Sequence, residues 1–198
     1  LDTYLKLGPS LKSGRGQRRP ICFGMPFDGR CRTAPIYPLT TLLLLSAGQP
    51  VVLQGGQRMP IKYGVTVSEL FAAIGLQLEG LEMSVVQTGF DKHGLALVHQ
   101  PDHFPLAENL ISYRDEIGKR SPLSSMELIW TAHHNDHLIV SGFVHPPTEA
   151  RAWETLELMG EINFISIKGL EGSTDLPNSR ACITGHIHEN KFERIVLH

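Results

Sequence analysis

The sequence lacks the features that define several common classes of protein. Its 198 residues include only three cysteines, Cys22, Cys31 and Cys182, and these do not have the spacing of a zinc site or a disulfide framework. Such cysteine usage is typical of the reducing cytoplasm. The leucine run at 42–45 is far too short to cross a bilayer, and no signal peptide is recognisable. We therefore expect a cytoplasmic protein with no membrane span.

The chain also lacks an overall excess of charge. Its net charge is −2, so its composition carries no general nucleic-acid signature. The charge is unevenly distributed, however: residues 1–62 contain nine Lys or Arg and two Asp, a net charge of +7, which leaves −9 for residues 63–198. Such asymmetry predicts an anionic partner, and the alternative is a solvated basic face.

Length and hydrophobic content predict one folded domain. The chain is 41% hydrophobic, enough to bury one good core. It begins at Leu1 rather than Met, and we therefore expect a fragment or processed form of a longer protein.

Strand and helix patterns alternate along the chain. This alternation predicts an α/β fold with a mostly parallel central sheet, helices on both faces and an antiparallel hairpin at the end. The strands are predicted at 21–23, 51–53, 84–87, 95–99, 137–144, 163–167, 181–187 and 195–197, and the helices at 38–47, 67–74, 106–117 and 149–159.

Two predicted strands run directly into turns that contain glycines and cations. Glycines let backbone N–H groups approach a ligand closely, and nearby cations favour an anion. Because parallel strands end at the same edge of a sheet, we expect both turns to form one phosphate-sized pocket. The alternative is a pair of ordinary glycine turns. The candidate phosphate-binding residues are Gly24, Asp28, Gly29, Arg30, Gly55, Gly56, Arg58 and Lys62.

The order of these motifs, from about residue 20 to 180, resembles anthranilate phosphoribosyltransferase. The resemblance is to a divergent branch of the family, in which the run from Gly55 to Gly64 is kept. The matching segments are Gly24 with Asp28-Gly29, Ala47-Gly48, Gly55-Gly56-Gln57-Arg58, Lys62-Tyr63-Gly64, Gly142-Phe143-Val144-His145-Pro146 and Lys168-Gly169-Leu170-Glu171.

The resemblance implies a glycosyltransferase family 3 α/β domain over 20–198, with the fold shared by phosphoribosyltransferases of this kind and pyrimidine nucleoside phosphorylases. It implies that 1–19 is a basic linker or the remnant of an N-terminal helical domain, which contributes to homodimers in the full-length family. It also implies a phosphorylated-sugar ligand and magnesium, held by Glu171 with Asp175 as a displaced substitute for the second carboxylate.

Several departures from the family's motifs affect the expected chemistry. Where the family has Thr-Gly-Gly to hold pyrophosphate, this chain has Met25-Pro26-Phe27, and proline has no N–H to donate. Asp115 falls where an arginine is a candidate to bind anthranilate, and its carboxylate would repel that acid. We therefore expect the anthranilate reaction to be absent or very weak.

Two functions remain open at this point. One is pentosyl transfer with an altered site that binds a phosphorylated sugar or another anion. The other is non-catalytic, sequence-independent binding of nucleic acid, including single strands, through the basic first third of the chain.

Overall fold

The chain folds around one seven-stranded sheet. A computed structural model describes residues 1–14, 16–120, 122–161, 163–188 and 191–197. The elements follow in the order α1 Asp2–Leu7, β1 Ile21–Gly24, α2 Tyr37–Ser46, β2 Val51–Gly55, α3 Val67–Ala73, α4 Met83–His93, β3 Leu95–His99, α5 Gln100–His103, α6 Pro105–Glu108, α7 Ser112–Ile117, α8 Leu123–Met126, β4 Leu138–Phe143, α9 Pro146–Leu158, β5 Phe164–Lys168, a single 3-10 turn at Leu170–Gly172, β6 Cys182–His188 and β7 Lys191–Leu197.

The strand order is β3-β2-β1-β4-β5-β6-β7. Strands β1 to β5 pair in parallel, whereas β6 and β7 form an antiparallel hairpin on the edge of β5. The predicted α/β class, the mostly parallel sheet and the terminal hairpin are confirmed. In the described part of the chain, no helix combines the length and apolar character needed to cross a membrane.

Alternation along the strands divides the core between the two faces of the sheet. In β1, Cys22 contributes to one buried cluster and Phe23 to another, as expected when successive side chains point to opposite faces. Helix α4 packs into the first cluster through Val86 and Phe90, and α3 packs into the second through Phe71. Helices therefore cover both faces, as predicted.

Two secondary-structure predictions are wrong. Residues 84–87 lie inside α4 and not in a strand, because Val86 and Phe90 are four residues apart and pack on one helical face. Residues 106–117 are not one helix but parts of α6 and α7. The N–H of Ile111 donates to the carbonyl of Glu108, three residues back, and such tight turns replace the continuous helix between the two short ones.

The first residues of the chain pack against the sheet domain. Leu11 is fully buried in the same cluster as Cys22, and its N–H donates to the carbonyl of Ala132 at 2.8 Å. Tyr4 makes edge contacts with Phe104 and Trp130. The division of the chain at residue 20 stays a prediction.

Gly142 in β4 is required by the close approach of the segment that follows β5. A Cβ atom at this position would lie 2.1 Å from the carbonyl oxygen of Ser173. The glycine therefore lets the segment from 169 to 175 lie directly against the end of β4.

We predict that Gly142→Ala destabilises the protein by about 1–3 kcal/mol, because the new methyl group forces apart two backbone segments. Gly89→Ala is the matched control: Gly89 lies in α4, and its nearest neighbour to an added Cβ is 3.9 Å away. This control should be neutral or stabilising by about 0.5–1 kcal/mol. Denaturant unfolding of both variants measures the difference, and equal stability would contradict the assigned packing.

Candidate anion-binding site

The two glycine turns lie side by side at the carboxyl edge of the sheet. Strands β1 and β2 are parallel neighbours, so their exits face the same way. The turns are also hydrogen-bonded to each other: the N–H of Gly64 donates to Asp28 O at 2.9 Å, and Arg30 and Val65 exchange bonds of 3.2 and 2.8 Å. The predicted adjacency of the two turns is confirmed.

This edge contains the point where the strand order reverses. Strand β1 lies between β2 and β4, and the crevice outside the carboxyl ends at such a switch point is the usual ligand site of open α/β sheets. Here the segment from 169 to 175 lies across the crevice. An added Cβ on Gly172 would lie 3.3 Å from the ring of Pro26 and 3.6 Å from Val144. The segment from 169 to 175 therefore occupies the crevice in which ligands of such sheets usually bind.

Arg30 is the buried cation of this site. Its side chain is only 4% exposed. Its Nη1 donates to Asp175 Oδ2 at 2.6 Å and to Ser173 Oγ at 2.8 Å, and its Nε lies 3.5 Å from Glu171 Oε1. The guanidinium therefore neutralises the carboxylates of the segment from 169 to 175 and is not free to bind an external ligand.

The carboxylate of Glu171 is bound by donors of the turn after Arg30. Its Oε1 accepts hydrogen bonds from the N–H groups of Arg32 and Thr33, both at 3.0 Å, and from Thr33 Oγ1 at 2.8 Å. Its Oε2 accepts the N–H of Cys31 at 3.3 Å. Consecutive N–H groups that converge on one oxyanion form an anion-binding nest.

These donors determine the charge state of Glu171. Burial alone would raise the pKa of its carboxyl group, but the bonds from the Thr33 hydroxyl and from the three N–H groups outweigh burial and hold the pKa at about 2. Glu171 is therefore an anion bound in the nest at neutral pH.

Lys62 brings a second cation to the same place. Its Nζ donates to Gly29 O at 3.0 Å and to Glu171 O at 3.2 Å, and lies 3.5 Å from Asp28 Oδ1. Burial lowers the pKa of Lys62, and the carboxylate of Asp28 opposes that change. The ammonium lies between the two turns, beside the nest.

Asp28 is fully buried and faces two cations. Besides Lys62, it contacts Arg120, whose Nε and Nη2 donate to Asp28 Oδ2 at 3.0 and 2.8 Å. Arg120 was not among the predicted site residues, because it follows Gly118 and Lys119 outside every predicted element. Asp28 therefore anchors cations and does not itself face an anion.

Arg58 is not brought together with Arg30 and Lys62. Its Nε donates to Glu69 Oε1 at 2.8 Å on the surface, and Glu69 caps the start of α3 with Thr66. Arg58 also lines a separate surface pocket that includes His99.

The predicted glycines outside this nest have packing roles in the structure. An added Cβ would lie 1.9 Å from Leu128 O at Gly24, 2.3 Å from Val67 Cγ1 at Gly55 and 2.4 Å from Met59 Cε at Gly56. Gly29 has φ +75°, which favours glycine for conformational reasons. At Gly24 and Gly29 these backbone constraints explain the glycine without a ligand.

The residues that depart from the family's motif offer few donors. The N–H of Phe27 already donates to Glu127 Oε2 at 2.8 Å, and Glu127 is ion-paired with the buried Arg114. Asp115 accepts the hydroxyl of Tyr63 at 2.8 Å. The segment 25–27 therefore cannot form the family's pyrophosphate cradle in this conformation.

Little space remains in the crevice. The enclosed volume among Pro26, Gly29, Arg30, Gly55 and Glu171 is about 20 Å³ for the centre of a water molecule. That volume holds about one water molecule. A sugar phosphate therefore enters only if part of the crevice lining moves.

The two carboxylates predicted to bind magnesium do not fit that ion as they lie here. Glu171 accepts five hydrogen bonds from residues 31–33, including one from the Cys31 thiol. Asp175 Oδ2 accepts Arg30 Nη1 and the N–H of Ile36, the latter at 2.8 Å. The guanidinium of Arg30 pairs with both carboxylates. Among the described residues, no group of three or more His, Cys, Asp or Glu side chains is arranged for a metal.

Comparisons with known proteins agree with this fold. No protein-family model matches the sequence. An uncharacterized protein of Aquifex aeolicus is 28% identical over 152 residues, which are 77% of this chain and 44% of that protein. The anthranilate phosphoribosyltransferase of Verminephrobacter eiseniae is 20% identical over 153 residues, again 77% of this chain and 44% of the relative. The chain spans less than half the length of these relatives.

Two solved structures superpose on almost the whole of this chain. Anthranilate phosphoribosyltransferase from Thermus thermophilus superposes with a TM-score of 0.75 at 18% identity, over 98% of this chain and 56% of that one. The Saccharomyces cerevisiae enzyme in complex with PRPP and Mg gives a TM-score of 0.73 at 12% identity, over 98% and 52% of the two chains.

The architecture is therefore that of a phosphoribosyltransferase-like α/β domain. The fold is specifically that of anthranilate phosphoribosyltransferase, and the resemblance noted in the sequence is confirmed at the level of the fold.

Proposed function

We propose that this chain binds a phosphorylated sugar, or another anion with a phosphate group, at the glycine-rich ends of β1 and β2. The observation that carries the proposal is the nest at residues 31–33, which holds the carboxylate of Glu171 through three backbone N–H groups and the Thr33 hydroxyl. It lies beside Lys62 at the switch point of the sheet. The PRPP named for the yeast structure supports the same class of ligand.

Pentosyl transfer at this site would depend on positioning and charge neutralisation more than on covalent chemistry by the protein. Lys62 is placed to stabilise phosphate charge, and the nest supplies neutral donors. Because Glu171 and Asp175 do not fit a magnesium ion here, no step is assigned to a metal.

Binding of nucleic acid is the second candidate, and the exposed cations of the first third are the observation that favours it. Within the described residues, the guanidinium of Arg32 is exposed and has no acidic partner. Against this candidate, Arg30 and Arg58 are paired with carboxylates.

Homodimerisation also stays a prediction.

Binding of phosphoribosyl pyrophosphate to the wild-type chain tests the proposal. We expect Lys62→Met to weaken binding about tenfold or more, because a charge-assisted hydrogen bond to phosphate contributes about 1.5–3 kcal/mol. Lys12→Met, at an exposed lysine, is the matched control and should bind like wild type. Calorimetric titration of the three proteins decides the matter.

Equal affinity of the Lys62→Met and wild-type proteins would contradict this assignment. Titration with a single-stranded oligonucleotide at two salt concentrations tests the nucleic-acid candidate. Oligonucleotide binding that weakens steeply with salt, without phosphoribosyl pyrophosphate binding, would favour the nucleic-acid candidate instead.

The anthranilate reaction itself should be absent or below about 1 s⁻¹, the lower end of the usual range for enzymes. Pro26 offers no N–H, the N–H of Phe27 is taken by Glu127, and Asp115 brings a carboxylate to the acceptor's expected position. A turnover assay with anthranilate, phosphoribosyl pyrophosphate and magnesium measures this, and turnover at or above that rate would refute it.

A further inference from the structure

We propose that Glu171 is an internal competitor for the anion site: its carboxylate occupies the nest at residues 31–33, and a phosphate group binds in its place when the segment carrying Glu171 moves away. The inference deepens the proposed function and rests on it for the class of ligand. It adds a residue that gates the site and a position for one phosphate group.

The nest is complete without any donor from the segment that carries Glu171. Its donors are the N–H groups of Cys31, Arg32 and Thr33 together with Thr33 Oγ1. These groups bind Glu171 only through its oxygens, and a phosphate offers more acceptor oxygens than a carboxylate does. The same four donors therefore suit a phosphate group that replaces Glu171.

The backbone at Glu171 is strained. Its φ is +55°, and the following Gly172 has φ +83°. Among the described residues, Tyr63 is the other non-glycine residue with positive φ, and it directly follows Lys62. Left-handed conformations cost free energy at non-glycine residues and are concentrated at sites that switch or bind ligands. Release of Glu171 would remove part of this cost.

Charge and hydrogen bonding both favour exchange over simultaneous binding. The ammonium of Lys62 is also held by Gly29 O at 3.0 Å and lies 3.5 Å from Asp28 Oδ1, both outside the segment that carries Glu171, so it remains beside the nest when that segment moves away. The carboxylate oxygens of Glu171 occupy the N–H groups of Cys31, Arg32 and Thr33 and the Thr33 hydroxyl, so a phosphate group cannot make the same hydrogen bonds while Glu171 is in place. One anion must therefore leave before another enters.

Titration with inorganic pyrophosphate tests the competition. We expect Glu171→Ala to bind pyrophosphate about tenfold or more tightly than wild type, because the internal competitor is gone. Glu171→Gln keeps the shape of the side chain but loses its charge, and should fall between the two. Glu154→Ala removes an exposed glutamate of α9 and controls for net charge; it should match wild type.

A second substitution locates the bound anion. Thr33→Val in the Glu171→Ala background removes one donor of the nest and should weaken pyrophosphate binding again. If Glu171→Ala does not fold, as judged by its thermal unfolding, Glu171→Gln compared with wild type decides the question. Affinity that is unchanged or weaker in the Glu171 variants, or insensitive to Thr33→Val, would overturn the inference.

The outcomes separate this inference from the proposed function. Wild-type binding of phosphoribosyl pyrophosphate that depends on Lys62, with no gain in the Glu171 variants, overturns only the gating role. Tighter pyrophosphate binding by Glu171→Ala, in proteins that do not bind phosphoribosyl pyrophosphate, supports the nest and overturns the sugar-phosphate ligand.

Discussion

The ion pairs of Arg30 hold the carboxyl edge of the sheet in its closed arrangement. The guanidinium links the turn after β1 to Asp175, Ser173 and Glu171 in the segment after β5. Removing one partner of such a buried pair typically costs about 3–5 kcal/mol, because the other charge is left without compensation. The position of Glu171 in its nest therefore depends on a cation that the sequence suggested was a ligand-binding residue.

Much of the fold could be predicted because alternation and strand composition are local signals. The apolar runs that lead into Gly24 and Gly55 predicted where β1 and β2 end and that the turns after them lie side by side. The strand predicted at 84–87 failed because two adjacent valines carry strand propensity, whereas the spacing of Val86 and Phe90 is helical. Tertiary packing decided between these signals.

The site was only partly predictable. The sequence placed Arg30, Lys62 and Glu171 in motifs near strand ends, and the structure brings those three together. It could not show that Arg30 is neutralised from within, because Asp175 is 145 residues away along the chain. The donors of the nest are backbone N–H groups, which every residue but proline carries, so no side-chain pattern identifies them.

Glu171 is bound as an anion by the N–H groups of residues 31–33. Amide chemical shifts of Cys31, Arg32 and Thr33, followed by NMR as the pH falls from neutral to about 3.5, test it most directly. With the pKa of Glu171 at about 2, below the value of about 4.3 for an unperturbed glutamate, the bound form persists through this range and these shifts should stay constant. The contribution of the bound Glu171 carboxylate to the stability of the folded protein would be lost only as the pH falls from about 4.3 towards the folded-state pKa. Amide shifts that titrate with a midpoint near 4.3 in wild type, and not in Glu171→Gln, would show that these N–H groups do not hold the Glu171 carboxylate.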